Sequence, residues 1–311
     1  MKYIKILENG RYLPEMKISN DEIEKKLNLE NGYIEKRTGI KERYYIKDES
    51  IEEIAIKAVE NLFYKLKNKN QIEDIGLIIT CTTTSKSLMP GISNTIQKVL
   101  NLNKCICLDI LAGCAGYINA FDIAKLYIET EKVKKALIVG VDTLSKYLDF
   151  NDTGTSIILS DGAGATLLEG TKEEKQYISI IEASGNNNEI LTCKVDEKIK
   201  MNGREIYKYA VTETVDSINR LIKGTKLSLE DIKYIVPHQS NLKILNAIAN
   251  RLKINSDKIY SNIEYIGNTF CASIPIALEE MMRKNLLKEG DKIILLGYGG
   301  GLNTGSILLE L

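Results

Sequence analysis

Cys114 is the residue whose surroundings best suit nucleophilic chemistry. It lies in LAGCAG (111–116), between the strand-like CICLDI (105–110) and the start of a helical pattern. Unpaired backbone N–H groups and the positive end of the helix dipole lower the pKa of a thiol in this place from ~8.5 toward ~3.5–7.5. Small neighbouring residues would let a substrate approach the sulfur. A small apolar residue that merely begins a helix is an equally good interpretation of this cysteine taken alone.

Two further side chains could assist such a nucleophile. His238 is the only histidine among 311 residues and ends a strand-like run in VPHQSN (236–241). Asn268, in the Gly-Asn-Thr segment 267–269, carries an amide that can donate a hydrogen bond to an oxygen. A lone histidine is more often a surface or core side chain than a functional one. Whether the three residues act together depends on whether the fold brings them into one cleft.

The chain contains an internal repeat that predicts such a cleft. Four segments show it in two pairs that share one sequence offset: IEDIGLII (72–79) with LEDIKYIV (229–236), and KKALIVGVD (134–142) with DKIILLGYG (291–299). A constant offset over this length indicates duplication. We therefore predict two similar halves, residues 1–170 and 171–311.

The same offset relates the candidate residues to one another. It pairs Cys114 with Cys271, which we interpret as the non-catalytic counterpart, and His238 with Cys81. Strand ends and helix starts that are equivalent in the two halves are expected at one common edge. The repeat therefore predicts that the three candidate side chains converge.

The two halves differ in the connection before their last strand. GATLLE (164–169) resembles GSILLE (305–310) at a shorter offset than the other pairs, so the first half carries an insertion within 143–163. Inserted loops often carry function. We interpret SDGAGA (160–165) as a tight turn with a structural role. LGYGGGLNTG (296–305) lacks the GxxxxGK[ST] pattern of a phosphate loop and favours backbone N–H groups close to a reacting carbonyl.

Short apolar runs alternate with helical patterns in both halves. LIIT (77–80) and ALIVGV (136–141) are typical of buried strands, and residues 114–129 have an apolar face at helical spacing. This alternation predicts a layered α/β protein with a central sheet in each half.

Composition excludes several classes of protein. The 34.9 kDa chain carries 42 Lys+Arg and 42 Asp+Glu, whereas nucleic-acid-binding proteins are normally basic. The N-terminal segment lacks the apolar stretch of a signal peptide, and no apolar run approaches the ~18–20 residues of a membrane span. Six cysteines without a Cys-x-x-Cys pair, and one histidine, form no zinc ligand set. We expect a cytoplasmic protein with reduced thiols, no metal, and neither a membrane nor a nucleic-acid partner.

Six segments together resemble the condensing enzymes of the thiolase superfamily, and specifically the 3-oxoacyl-acyl carrier protein synthase III family. They are RTGIKERYY (37–45), AGCAGY (112–117), DGAGA (161–165), VPHQSN (236–241), IGNTFCASIP (266–275) and GYGGG (297–301). The resemblance covers almost the whole chain. It implies a duplicated, thiolase-like α/β fold with layers in the order α-β-α-β-α, and a homodimer.

The resemblance also implies a mechanism, with Cys114, His238 and Asn268 as the catalytic triad. Cys114 would take an acyl group from a thioester, and malonyl-acyl carrier protein would then lose carbon dioxide. A neutral His238 and Asn268 would donate hydrogen bonds to the enolate oxygen. The N–H groups of Cys114 and Gly300 would hold the oxyanion formed when the carbanion attacks the acyl-enzyme. The product, 3-oxoacyl-acyl carrier protein, begins fatty-acid synthesis; no cofactor is permanently bound, and CoA and phosphopantetheine thioesters are the substrates.

The single histidine separates this chain from related enzymes. Elongating synthases use two histidines, and thiolases use a second cysteine before their glycine run, where this chain has Leu296-Gly297-Tyr298. Hydroxymethylglutaryl-CoA synthase needs a glutamate, whereas the segment CTTTSKSLMPG (81–91) has no carboxylate. These absences favour the decarboxylating type III reaction.

Further positions match substrate-binding residues of the family. Tyr33 and Arg37 match CoA-binding positions, with Tyr33 in place of the usual tryptophan, while Thr153 replaces the arginine that stacks on adenine. Flexible methionines in the acyl pocket would admit a longer or branched chain. The acyl-pocket positions are Met89, Leu159 and Met201.

Lys208, Lys243 and Arg251 match a basic patch that binds the acidic acyl carrier protein, although solvated surface lysines are an alternative interpretation. Two other functions stay open at this point. One is a specialised acyltransferase or condensing enzyme of a secondary-metabolite or signal pathway, which the altered adenine site suggests. The other is a catalytically silent scaffold subunit, against which the intact triad counts.

Overall fold

The first half of the chain forms a five-stranded main sheet with helices on both sides, and a separate two-stranded sheet. In the computed structural model, which describes residues 3–66 and 72–311, its strands are β1 (Tyr3–Tyr12), β2 (Met16–Ser19), β3 (Glu42–Tyr45), β4 (Ile75–Cys81), β5 (Ile106–Ile110), β6 (Lys135–Asp142) and β7 (Gly162–Thr171). Its helices are α1 (Asn20–Leu27), α2 (Tyr33–Thr38), α3 (Ile51–Lys65), α4 (Ile92–Val99) and α5 (Gly116–Glu129). The main sheet has the order β1-β7-β6-β4-β5, and β2 pairs with β3.

The second half repeats this arrangement. Its strands are β8 (Tyr177–Ala183), β9 (Leu191–Thr192), β10 (Lys200–Met201), β11 (Tyr234–Pro237), β12 (Lys292–Gly299) and β13 (Asn303–Glu310). Its helices are α6 (Gly203–Lys223), α7 (Leu242–Leu252), α8 (Ile263–Ile266) and α9 (Ser273–Arg283). The main sheet has the order β8-β13-β12-β11, which places equivalent strands of the two halves in the same order, and the duplication is thereby confirmed. Strand β7 ends at Thr171 and β8 begins at Tyr177, and the division of the chain at residue 170 stays a prediction.

Helices and sheets alternate in five layers. Helices α5 and α9 lie between the two sheets, where Phe121 and Leu278 belong to one buried apolar cluster with residues of both sheets. Helices α3 and α4 cover the outer face of the first sheet, and α6 and α7 cover that of the second. Each fully buried aliphatic or aromatic side chain stabilises this packing by about 1.5–3 kcal/mol. The layer order α-β-α-β-α is as expected.

The central helices begin differently from the outer helix α3. Helix α3 starts with a capping box, in which the Ser50 side chain accepts from the Glu53 N–H and Glu53 accepts from the Ser50 N–H. Helices α5 and α9 instead follow short 3₁₀ turns, and their N-cap residues, Ala115 and Ala272, give no side-chain cap. The first N–H groups of both central helices are therefore not used by a capping side chain.

The inserted connection in the first half lies where the change of offset places it. Residues 143–161 join β6 to β7, whereas only residues 300–302 join the equivalent strands β12 and β13. The carboxylate of Asp161 fixes the insertion, because it accepts from the N–H groups of Ser145 and Ile46 at 2.8 Å each. The insertion is therefore an ordered part of the fold.

The interpretation of residues 160–165 as a tight turn is wrong. Residues from Gly162 onward form the start of β7, paired with β1 and β6. Glycine is needed there for close packing, because a Cβ at Gly164 would lie 2.8 Å from the Pro275 Cβ at the start of α9. The role is structural, as expected, but it concerns a strand that packs against a helix.

Two observations bear on the expected absences. Within residues 3–66 and 72–311, no helix combines the length and apolar character needed to cross a membrane. In the same part of the chain, no group of three or more His, Cys, Asp or Glu side chains could hold a metal ion. All six cysteines are free thiols.

Candidate active site

The two 3₁₀ turns before α5 and α9 meet at the centre of the molecule. Cys114 lies in the first turn, Gly113–Ala115, and Cys271 lies at the equivalent place in the second, Phe270–Ala272. The Cys271 thiol donates to the carbonyl oxygen of Gly113 at 3.0 Å, which joins the turns directly. The duplication therefore places the two helix starts against each other, and the thiol of Cys271 is hydrogen-bonded to the backbone of the first turn.

Cys114 is enclosed by the loop after β12. Its side chain is buried, with 3% of the residue exposed. A Cβ at Gly299 would lie 2.8 Å from the Cys114 Sγ, so only glycine leaves room for the sulfur at this distance. The backbone N–H groups of Gly300 and of Cys114 itself lower the pKa of the thiol. The glycine run therefore lies against Cys114, and the role of the Cys114 and Gly300 N–H groups as oxyanion donors stays a prediction.

The expectation of a lowered pKa at Cys114 is reversed. Burial raises the pKa of this thiol well above its ordinary value, and the carboxylate of Asp142 raises it further. The N–H groups of Gly300 and Cys114 lower the pKa, but their effect is smaller. Desolvation of the thiolate therefore changes the pKa of Cys114 more than the N–H groups at the helix start do.

Asp142 is a charged neighbour of Cys114 that sequence analysis did not identify. It is the last residue of β6 and is fully buried. Oxygen Oδ1 accepts from the N–H and hydroxyl of Thr83 and from the hydroxyls of Thr82 and Thr84, while Oδ2 accepts from the N–H of Cys271. Burial raises the pKa of Asp142, and these donors lower it. Its only sequence signal is a carboxylate at the end of an apolar strand.

His238 follows β11 and is held on three sides. Its N–H donates to the carbonyl oxygen of Leu296 at 2.7 Å, its Nδ1 lies 2.7 Å from the Ser273 Oγ, and its ring meets Tyr298 edge-on at 5.3 Å between centroids. The residue is 2% exposed. Burial lowers the pKa of the imidazole to about 3, so the ring is neutral at physiological pH.

Asn268 is fixed by its backbone and by its amide oxygen. Its N–H donates to the Ile158 carbonyl, and its carbonyl accepts from the Ser160 N–H, both at 2.9 Å. The Asn268 Oδ1 accepts from the Phe270 N–H at 3.1 Å. The amide nitrogen Nδ2 therefore has no partner among the residues that the structure describes. An N–H₂ donor is left available inside a buried site.

The three candidate residues are linked through shared neighbours. Cys114 belongs to the same buried cluster as Phe270, to which Asn268 is hydrogen-bonded. Tyr298 packs against His238 and immediately precedes Gly299, which touches Cys114. Residues from both halves therefore surround these three side chains, and their joint action as one site stays a prediction.

Two of the three expected acyl-pocket residues lie beside this site. Leu159 is buried in the cluster with Cys114, and half-buried Met201 packs against the same cluster. Met89 departs from the expectation, because it is 83% exposed and lies outside that cluster. It stands in the loop before α4.

The expected CoA-binding residues lie together at the surface. The Arg37 guanidinium stacks 4.4 Å from the centre of the Tyr33 ring, one turn apart on α2. The Asn241 side chain, at the start of α7, donates to the Arg37 carbonyl at 3.5 Å. Thr153 is exposed in the inserted connection. Helix α2 and the start of α7 thus form one continuous rim.

The expected carrier-binding residues lie on α6 and α7. Lys208, Lys243 and Arg251 are exposed, and none forms an ion pair within the described part of the chain. Arg251 donates to the Thr212 hydroxyl at 3.4 Å, which joins the two helices on their outer side. These three exposed cations therefore form no ion pair with the residues that the structure describes. Lys243, at the start of α7, lies next to the rim formed by α2 and α7.

Two family models match the chain. Residues 108–187 match the model described as 3-oxoacyl-[acyl-carrier-protein (ACP)] synthase III, and residues 222–311 match the model of its C terminal part. The beta-ketoacyl-[acyl-carrier-protein] synthase III of Clostridium novyi (strain NT) is 38% identical over 324 residues, which cover 100% of this chain and 99% of that protein. This chain belongs to the 3-oxoacyl-[acyl-carrier-protein] synthase III family.

Other relatives and solved structures agree with this membership. The synthase III of Clostridium acetobutylicum is 37% identical over 325 residues, covering 100% of this chain and 99% of that protein. The crystal structure of 3-oxoacyl-[acyl-carrier-protein] synthase III from Aquifex aeolicus VF5 matches with a TM-score of 0.95 and 34% identity, covering 99% of this chain and all of that one. The thiolase-like fold is confirmed, and the chain is a condensing acyltransferase. The specialised and scaffold alternatives are not favoured by these matches.

Proposed function

We propose that this chain condenses an acyl thioester with malonyl-acyl carrier protein and so begins fatty-acid synthesis. The observation that carries the proposal is the buried site in which the Cys114 thiol shares its surroundings with neutral His238 and the free amide of Asn268. Two unpaired donors beside a thiol suit a reaction in which an enolate oxygen forms and is consumed.

In the first half-reaction, the Cys114 sulfur attacks the thioester carbonyl carbon. The oxyanion that forms would accept hydrogen bonds from the N–H groups of Cys114 and Gly300, which lower the pKa of the Cys114 thiol. The bond from the acyl carbon to the leaving sulfur then breaks. The thiol proton departs with the leaving CoA, and an acyl-Cys114 thioester remains.

In the second half-reaction, the malonyl carbon–carbon bond breaks and carbon dioxide leaves. The electron pair is held as an enolate, whose oxygen would accept from His238 and Asn268. The enolate carbon attacks the acyl carbon, the acyl–sulfur bond breaks, and Cys114 leaves as a thiolate that takes up a proton from solvent to restore the thiol. A neutral imidazole suits this step because it donates without first requiring a proton from solvent.

We propose an acyl-CoA as donor, bound at the rim formed by α2 and the start of α7. The exposed Arg37 guanidinium can pair with a CoA phosphate, and the Tyr33 face not covered by Arg37 can stack on adenine. Leu159 and Met201 would contact the acyl chain beside Cys114. The unpaired cations Lys208, Lys243 and Arg251 support docking of an acidic carrier protein.

We also propose a homodimer that pairs through strand β5. This strand is the last in its sheet, with Leu111 beyond it 79% exposed. Asp109 of β5 accepts from the N–H of Ser93 at 3.0 Å, which holds the loop containing Met89 next to the same edge. An unpaired, apolar strand edge favours association with a second copy, which would also cover Met89. The free thiols support a reducing, cytoplasmic location.

Intact-mass analysis tests the proposed function. The protein is incubated with a panel of acyl-CoA and acyl-carrier thioesters, and the adduct is sought on Cys114. Cys114→Ala should give no adduct, whereas Cys271→Ala should retain most of it. Absence of an adduct from every donor, or equal losses in the two variants, would contradict the proposal.

A further inference from the structure

The imidazole of His238 has one hydrogen-bond partner in the described part of the chain. That partner is the Ser273 hydroxyl, 2.7 Å from Nδ1, and no partner is present at Nε2. A neutral imidazole carries its single N–H on one nitrogen and a lone pair on the other. The partner of Nδ1 therefore decides which nitrogen faces a substrate as a donor.

The hydroxyl of Ser273 has one proton and two oxygen or nitrogen neighbours that could accept it. Besides His238 Nδ1 at 2.7 Å, it lies 3.0 Å from the Phe270 carbonyl oxygen. That carbonyl already accepts the backbone N–H of Ser273. The Gln239 N–H meanwhile donates to the same hydroxyl oxygen at 3.3 Å. The nearer acceptor, which lacks another donor, is the imidazole.

We propose that Ser273 is a positioning residue that holds His238 in the tautomer with its proton on Nε2. The hydroxyl donates to Nδ1, so Nε2–H becomes the free donor of the site. Together with the Nδ2 of Asn268, it supplies the two hydrogen bonds that an enolate oxygen needs. This inference rests on the proposed function for its catalytic meaning, but the tautomer itself is a property of the resting protein.

The internal repeat shows that the fold does not require a hydroxyl at this place. The equivalents of His238 and Ser273 in the first half, at the offset of the repeat, are Cys81 and Gly116. Helix α5 begins at Gly116 with no side chain there, and α9 begins after Ala272 without a side-chain cap. The hydroxyl of Ser273 therefore occurs at the helix start that lies next to an imidazole. The equivalent helix start, at Gly116, has no imidazole beside it and no hydroxyl.

The single histidine allows a direct test by nitrogen NMR. Protein labelled with ¹⁵N in the histidine ring gives signals from His238 alone, and a protonated ring nitrogen is distinguished from an unprotonated one by its chemical shift. We expect an unprotonated Nδ1 and a protonated Nε2 in the unmodified protein near neutral pH. Ser273→Ala should move both signals toward a mixture of tautomers, and Ser273→Thr, which retains a hydroxyl, should restore them.

Ser217→Ala is the matched control, because it removes another buried serine hydroxyl, one that pairs with Ser306 at 2.6 Å in the second half. It should leave both ring signals unchanged. A protonated Nδ1 in the unmodified protein, or unchanged ring signals in Ser273→Ala, would overturn the inference. Neither outcome depends on catalytic activity, so the NMR result tests the tautomer independently of the proposed function.

Separate half-reactions give the catalytic readout. Ser273→Ala should reduce malonyl decarboxylation by about ten- to a hundred-fold, as loss of an orienting partner does at other sites, and should reduce self-acylation of Cys114 much less. Ser273→Thr should recover most of the decarboxylation. Equal losses in both half-reactions, without recovery in Ser273→Thr, would indicate a merely structural hydroxyl.

Discussion

Gly299 lies so close to Cys114 that a Cβ there would be 2.8 Å from both the Cβ and the Sγ of the cysteine. The contact joins the end of β12 in the second half to the helix start of the first half. The buried thiol is thus enclosed by a backbone that can approach it only because position 299 has no side chain.

Gly299→Ala should therefore abolish most acyl transfer. The added methyl group forces the sulfur or the loop to move, and a misplacement of about 1 Å can reduce a rate about 100-fold. Overpacking should also lower the free energy of unfolding by about 1–3 kcal/mol. Intact mass measures the acylation and urea unfolding measures the stability. Gly185→Ala is the control, since nothing lies within 4 Å of a Cβ at Gly185; equal effects of the two changes would contradict the steric argument.

Asp142→Asn should lower the pKa of Cys114. The carboxylate raises the pKa of that thiol, because a negative charge disfavours the thiolate, so its removal makes the thiolate easier to form. The rate of Cys114 alkylation at a fixed pH should rise, as measured by peptide mapping. The variant should also be less stable by about 1–3 kcal/mol, since asparagine keeps only one of the two acceptor oxygens and its NH₂ group then faces a buried donor.

Asp122→Asn provides the control for this change. Asp122 lies on the helix that begins after Cys114, and its carboxylate accepts from the Tyr177 hydroxyl at 2.9 Å. It does not contribute to the pKa shift of Cys114. Alkylation of Cys114 should therefore be unchanged in this variant. A slower reaction in Asp142→Asn would show that the Asp142 carboxylate does not raise the pKa of Cys114.

The parts of this protein that follow from the repeat could be predicted from sequence. Strands and helices related by the constant offset are equivalent in the fold, and the shorter offset between GATLLE and GSILLE located the insertion between β6 and β7. These predictions succeed because duplicated cores keep their element lengths, while connections vary. The layer order follows from the same apolar patterning.

The electrostatics of the site could not be predicted in this way. The pKa of Cys114 depends on burial by residues far away in the chain, which local sequence does not reveal. The contact between His238 and Ser273 joins positions 35 residues apart with no pattern in common. Met89 is 83% exposed in the single chain, and local sequence did not predict this exposure. Local sequence predicts elements better than it predicts long-range contacts.

The neutral state of His238 should make the protein less stable in acid. Burial lowers the pKa of the folded imidazole from 6.5 to about 3. Below pH 6.5 the unfolded chain binds a proton that the folded chain does not, so this contribution to stability is present above pH 6.5 and is lost as the pH falls toward about 3. The slope of the free energy of unfolding from this group is at most about 1.4 kcal/mol per pH unit.

His238→Gln isolates that contribution, since the variant has no histidine. Urea unfolding at several pH values between the two pKa values should give a shallower acid slope for the variant than for the unmodified protein. The carboxylates contribute equally to both and cancel in the comparison. Parallel slopes would mean that the folded imidazole is protonated in this range.

Arg251→Glu should weaken the reaction with carrier-bound substrate selectively. The change places a negative charge beside Lys208 and Lys243, the other exposed cations on α6 and α7, and an acidic partner would be repelled. We expect the KM for malonyl-acyl carrier protein to rise about ten-fold, which corresponds to about 1.4 kcal/mol, while acylation of Cys114 by acyl-CoA is unchanged. Lys226→Glu, an exposed change beyond the end of α6, should alter neither. An unchanged KM in Arg251→Glu would place carrier docking elsewhere.

Leu111→Asp should separate a dimer that pairs through β5. The unmodified protein is expected to have twice the chain mass of 34.9 kDa in light scattering, and a charge placed beside the strand edge should shift it toward the single-chain mass. Because Met89 would be covered only in the dimer, the variant should also lose preference among acyl donors of different length. Tyr64→Asp is the control, as it changes another exposed large residue, on the outer helix α3 away from that edge, and should leave the mass unchanged. A single-chain mass for the unmodified protein would refute β5 pairing, and with it the proposed covering of Met89.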